Sequence, residues 1–80
     1  MRDPNVFAQR LIKTRIQQNL QAKDLAEQIG VTKSLISKYE TTAATPSLAT
    51  IIAIADRLGV SIDYLVGRTD DPRIDSRDGG

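Results

Sequence analysis

Lys33, Ser34, Ser37 and Lys38 offer the most suggestive surface chemistry in this chain. At about 100° per residue they fill one arc of a helix, and Leu35, Ile36, Tyr39 and Glu40 fill the opposite arc. The first arc is wholly polar, with lysine amines and serine hydroxyls. Such side chains donate to phosphate oxygens and to base edges without crowding a nucleic-acid groove. On an isolated amphipathic helix the same arc would be an ordinary solvated face. The segment in front of it separates the two readings.

Ala22, Leu25, Ala26 and Ile29 fall on one helical stripe, while Lys23, Asp24, Glu27 and Gln28 fall on the other. Gly30 follows the last apolar residue, as a left-handed C-terminal cap requires. Thr32 supplies a side-chain oxygen that caps the next helix. Gly30-Val31-Thr32 is too short to let two helices pack antiparallel, so they must cross steeply. Ala26 leaves room for that approach. Leu20 to Glu40 therefore reads as helix, tight turn, helix, a pattern whose second helix can enter the major groove of DNA.

Other chemistries find little support. The chain has 80 residues, no Cys and no His. That allows one domain with a modest core and excludes disulfides, thiol catalysis, histidine bases and histidine-metal sites. No clustering of residues implies a metal, a cofactor or a small molecule, and the carboxylates suggest no enzyme. No apolar run approaches a membrane span and the start lacks a signal-peptide core, so a cytoplasmic location is expected. The net charge of +1 is low for a nucleic-acid binder. Its distribution says more: residues 1–20 carry +3, residues 21–40 balance, and residues 41–67 and 68–80 each carry −1. The acidic share of the C-terminal part masks a basic N-terminal region.

The chain resembles the lambda-repressor-like, Cro/CI-type (XRE family) helix-turn-helix regulators. Arg15, Leu20, Leu25-Ala26, Gly30, Ile36-Ser37, Tyr39-Glu40, Pro46-Ser47 and the run Leu58 to Leu65 (LGVSIDYL) carry the likeness, which spans roughly Phe7 to Gly67. The resemblance implies an all-α, compact five-helix domain with the helix-turn-helix at helices 2 and 3. It also implies a DNA-binding transcriptional regulator, commonly a phage or bacterial repressor that binds a palindromic operator as a dimer. The same fold also serves protein-binding modules, such as antitoxins or anti-repressors. An uncharged loop at 41–45 favours that second reading, and the polar arc of helix 3 opposes it.

The flanking elements read as helices too. Asp3 and Pro4 form an N-terminal start signal. Phe7, Ala8, Leu11 and Ile12 make the inner stripe of a first helix running to about Gln18. Ser47 can cap a fourth helix with an apolar face of Leu48, Ile51, Ile52, Ala55 and Leu58, ended by Gly59. Ser61 can cap a short fifth helix carrying Ile62, Tyr64, Leu65 and Val66. Residues 1–67 are expected to form the domain. Residues 68–80 alternate charges and lack an apolar period, so they read as a disordered tail or a truncated linker.

Arg15 and Glu40 sit where charges are expensive, on the inner stripe of helix 1 and the inner arc of helix 3. They are expected to pair with each other, and relatives in the resembling family often join these helices by such a bridge. The alternative is that both side chains reach out to solvent. Glu40 would then be structural rather than a DNA contact.

Lys33, Ser34, Ser37 and Lys38 are the expected base-facing residues. Lysine can donate to guanine O6 and N7, with less geometric definition than arginine. For Lys38, base reading and phosphate neutralisation stay open. No Asn or Gln stands at these positions, so an adenine-specific bidentate contact from helix 3 is not expected. Gln21, Thr32, Thr41, Thr42 and Arg10 are the expected phosphate contacts. Two departures from the family pattern weaken that set. Gln21-Ala22 replaces a stronger cap for helix 2. Thr41 to Thr45 carries neither charge nor glycine, and Thr42 is poorly suited to a left-handed cap. From the resemblance, Val60, Ile62 and Tyr64 are the dimer-interface candidates, with ordinary core packing as the competing role for Tyr64.

Overall fold

The computed structural model describes residues 4–74. It contains α1 (Pro4–Gln17), α2 (Ala22–Ile29), α3 (Lys33–Glu40), α4 (Leu48–Leu58) and α5 (Ile62–Leu65), with no strand among the described residues. The expected Asp3 start signal lies outside them. α2 packs against α3 and α4, α1 against α3 and α5, and α4 against α5. The aliphatic residues thereby meet in one core, in which Phe7, Leu11, Leu25, Ile36, Ile54 and Leu65 are fully buried. Phe7 meets Tyr39 edge-on, with ring centroids 6.3 Å apart, and so ties α1 to α3.

The cores of α1 and α4 differ from the expected stripes in instructive ways. On α1, Thr14 is buried and Ile12 is only half-buried. The Thr14 hydroxyl has no hydrogen-bond partner. On α4 the buried set is Ile51, Ile54, Ala55 and Leu58. Leu48 is 67% exposed and Ile52 39%. The segment Leu48–Leu58 is apolar nearly all round, so periodicity alone could not choose its inner face. Packing chose the face that carries Ile54.

The helix ends share one closure. After α1, α2, α3, α4 and α5, an amide donates back to a carbonyl five residues earlier. The pairs are Leu20 to Arg15, Val31 to Ala26, Ala43 to Lys38, Val60 to Ala55 and Arg68 to Asp63. Each closure needs one residue with positive φ. At the end of α2 it is Gly30, with φ 81° and no side-chain strain. At the end of α3 it is Thr42, with φ 62°. The expectation that Thr42 would resist the left-handed conformation is overturned. The Lys38 carbonyl gains the amides of Ala43 and Ala44 only if Thr42 turns this way, and those bonds offset its steric cost.

The chain does not leave the domain at Gly67. A side chain at Gly67 would meet Val6 Cγ1 at 2.7 Å, so the turn lies tight against α1. Beyond it, the Ser61 amide donates to Pro72 O at 2.9 Å, and Arg10 reaches Thr69 and Asp70. Contacts to α1 and to the start of α5 thus continue past the expected boundary at residue 67, as far as Pro72. Backbone hydrogen bonding and one α1 side chain hold a stretch too polar to bury itself. Residues 75–80 of that expected tail lie outside the described residues.

Candidate nucleic-acid interface

The segment Leu20 to Glu40 folds as helix, turn, helix. The α2 stripe buries Leu25 and Ala26 in the core, and α2 packs against α3. Thr32 caps α3: its Oγ1 accepts from the Leu35 amide at 3.1 Å. Gln21 precedes α2 without a side-chain capping bond. Its exposed amide group remains at a helix start whose first N–H groups lack intrahelical partners.

α3 is divided as its sequence requires. Ile36 and Tyr39 enter the core, while Lys33, Ser34, Ser37 and Lys38 are all exposed on the other side. Their arc carries cations and hydroxyl donors and no carboxylate.

The back of α3 is fastened to α1. Arg15 Nε donates to Glu40 Oε2 at 2.8 Å, and Arg15 Nη2 donates to Glu40 Oε1 at 3.2 Å. The pair is mostly buried, with side chains 17% and 13% exposed. Arg15 Nη1 also donates to Leu20 O at 2.9 Å, so one guanidinium joins the end of α1, the entry to α2 and the end of α3. This two-point contact limits rotation of α3 about its axis. Glu40 faces away from the polar arc and serves as an anchor.

The loop after α3 presents Thr41, Thr42 and Thr45 to solvent. Thr41 Oγ1 donates to Ser37 O at 3.0 Å, and Thr42 Oγ1 donates to Thr41 O at 2.6 Å. Both hydroxyl protons are thus directed at the backbone. The side chains offer oxygen lone pairs outward, a poor match to phosphate, which needs donors.

Arg10 is placed differently from the expectation. Its guanidinium lies 4.3 Å from the Tyr64 ring centroid, donates to Tyr64 O at 2.6 Å and to Thr69 O, and pairs with Asp70 at 2.7 Å. Three of its five N–H donors thus meet acceptors within the chain. Val60 and Tyr64 are both buried within the single chain, in keeping with the core-packing role that competed for Tyr64. Tyr64 fills the gap between α1 and α5, and Val60 seals the α4 end. Ile62 is 37% exposed and remains available.

Some fasteners had no legible signal. Gln28 on α2 accepts from Arg57 on α4. Gln18 donates to Leu58 O at 2.6 Å, satisfying the end of α4. Both are polar residues on helix surfaces, and nothing local distinguishes such a link from simple solvation.

A family model described as Helix-turn-helix matches residues 11–65, from the middle of α1 to the end of α5. The chain belongs to this helix-turn-helix family. Among similar members, the uncharacterized HTH-type transcriptional regulator YobD of Bacillus subtilis is 39% identical over 84% of this chain and 60% of that protein. The cryptic phage CTXphi transcriptional repressor RstR of Vibrio cholerae is 35% identical over 75% of this chain and 54% of its own length. The chain thus spans little more than half of these helix-turn-helix relatives. In three dimensions it resembles the P22 c2 repressor protein, solved in complex with a synthetic operator. That match has a TM-score of 0.71 and 25% identity, and covers 74% of this chain and 89% of the repressor chain.

Proposed function

We propose that this chain binds double-stranded DNA sequence-specifically and acts as a transcriptional repressor in the cytoplasm. α3 enters the major groove, and two copies occupy the halves of a palindromic operator. The observation that carries the reading is the α3 face. Lys33, Ser34, Ser37 and Lys38 are exposed together without a carboxylate among them, on a helix oriented by the Gly30 turn and the Arg15–Glu40 bridge. The repressor it resembles in structure was solved on an operator, which supports the same docking. Lys33 and Ser34 in the first turn lie nearest the base edges, with Ser37 and Lys38 one turn behind. Gln21 and Thr32 flank the groove at helix starts, where backbone N–H groups favour phosphate. Thr41 and Thr42 stand at its other edge.

One α3 spans only a few base pairs, so useful specificity needs two half-sites about 34 Å apart. Ile62 is the exposed apolar residue on α5 that would meet the second copy. Two features set the expected strength. The loop Thr41 to Thr45 brings no cation, and Arg10 is withdrawn from solvent. Each phosphate neutralised adds about 0.9 to the slope of log affinity against log salt. The slope per subunit should therefore be shallow.

Selection from random duplex DNA, followed by binding of Lys33→Ala and Lys38→Ala, tests the reading. An enriched palindrome and a loss of about tenfold for Lys33→Ala are expected, the size of one base contact. If Lys38 touches phosphate, its replacement weakens all sequences alike and flattens the salt slope by about 0.9. Absence of any enriched motif, with both variants unchanged, would favour the protein-binding alternative. The specific observation behind that alternative is the uncharged surface from Thr41 to Ile52, where Leu48 and Ile52 are exposed.

A further inference from the structure

α5 is a single turn, Ile62–Leu65, and one turn does not hold itself together in water. Its pose must come from what grips it. Leu65 and Tyr64 grip it from the core side. The Ser61 hydroxyl caps it by accepting from the Tyr64 amide at 3.0 Å, the Gly67 turn lies tight against Val6, and Arg10 adds a longer-range polar grip. The guanidinium covers the Tyr64 ring and donates to the Tyr64 carbonyl at 2.6 Å, so it holds one residue by both its side chain and its backbone. The same group donates to Thr69 O and to Asp70 Oδ1 at 2.7 Å. Those residues begin the segment whose Pro72 carbonyl accepts from the Ser61 amide, directly in front of α5. Arg10 thus closes a loop of chain around α5, from the residue before it to the residues after it.

We infer that Arg10 is a positioning residue for the assembly of two copies on DNA: by clasping Tyr64, Thr69 and Asp70 it sets the pose in which α5 presents Ile62 to the partner copy. The inference rests on the reading that the second copy docks at α5. A phosphate role fits these contacts poorly. The outer amine of the guanidinium already meets the Asp70 carboxylate, whose negative charge opposes a phosphate at the same place. A purely structural role is the remaining competitor, and DNA binding separates the two. Loss of fold weakens every DNA complex. Loss of the α5 pose weakens only complexes that need two copies.

The experiment uses the full chain and a duplex recovered by selection, beside the same duplex with one half-site scrambled. Wild type should prefer the two-site duplex. Arg10→Met should bind the one-site duplex within about twofold of wild type, yet lose at least about tenfold on the two-site duplex, since avidity disappears when geometry forbids joint engagement. On the one-site duplex the salt slope should be unchanged; a decrease of about 0.9 assigns Arg10 to phosphate and overturns the inference. An equal loss on both duplexes overturns it in favour of a structural role. If wild type binds both duplexes alike, the docking reading fails and the inference fails with it. If wild type prefers two sites and Arg10→Met keeps that preference, the inference alone fails. Should Arg10→Met not fold at the assay temperature, Arg10→Lys replaces it. Lysine keeps the charge but not the planar fork that spans two carbonyls and a carboxylate. A smaller loss confined to the two-site duplex supports the inference, and an unchanged preference overturns it.

Discussion

Arg10 and Arg15 stand five residues apart on α1 and do opposite kinds of work. Arg15 faces a single mostly buried carboxylate in a two-point contact and locks α3 from behind. Arg10 spreads its donors over two backbone carbonyls and a carboxylate that is fully exposed. The first is an ion pair in which each charge depends on the other. The second is a clasp built on hydrogen bonds and on the Tyr64 ring, with the ion pair as its least important part. Identical side chains therefore differ in what their removal exposes. Without Arg15, Glu40 is left as an unpaired carboxylate near the core. Without Arg10, two carbonyls and an already solvated carboxylate turn to water.

That contrast can be broken by measurement. Arg15→Met should cost about 3 kcal/mol in urea unfolding, because it strands a partly buried charge. Arg10→Met should cost less, about 2 kcal/mol, the scale of charge-assisted hydrogen bonds lost from a partly solvated site. If the two losses are equal, or reversed, the distinction between lock and clasp is wrong. Double-mutant cycles sharpen it. Arg15 with Glu40 should show coupling of about 1–3 kcal/mol, as expected for contacting residues in one network. Arg10 with Asp70 should show none, because Asp70 is fully exposed.

Two smaller effects concern the elements these arginines hold. Thr14 lies between them, buried, with an unpartnered hydroxyl. Thr14→Val keeps the shape and removes the unpaired group, so it should stabilise by about 1 kcal/mol. Thr42 closes the helix that Arg15 anchors, at φ 62°. Thr42→Gly should relieve that conformation and stabilise by up to about 1 kcal/mol, read as a rise in midpoint at constant slope. A loss of stability would show that the Thr42 methyl or hydroxyl compensates its own strain. Asp71 offers an exposed comparison: hydrogen bonds from Arg73 hold its carboxyl below the usual range. Its side chain binds a residue two positions away, so it stitches only its own segment.

The helix-turn-helix was legible because its determinants are local. Gly30, the Thr32 cap and the two-faced pattern of residues 33–40 act within one or two turns. Even the Arg15–Glu40 bridge was legible, since each charge interrupts an apolar stripe and must be answered. Leu48 and Ile54 were not legible in the same way. α4 offers apolar residues on every side, so sequence pattern could not rank its faces. Thr42 misled because propensity counts the strain of one residue and not the carbonyl that its turn satisfies.

By itself the sequence determined the helices, their order, the crossing of α2 with α3 and the polar arc of α3, because periodicity and caps need only neighbouring residues. Only the tertiary structure decided which face of α4 is inside, that Val60 and Tyr64 belong to the core, and that Arg10 reaches Tyr64, Thr69 and Asp70. Arg10 lies 54 residues before Tyr64 and 60 before Asp70. A side chain with five donors can satisfy them in water, on DNA or on distant backbone. Folding brings the backbone close enough to decide among them.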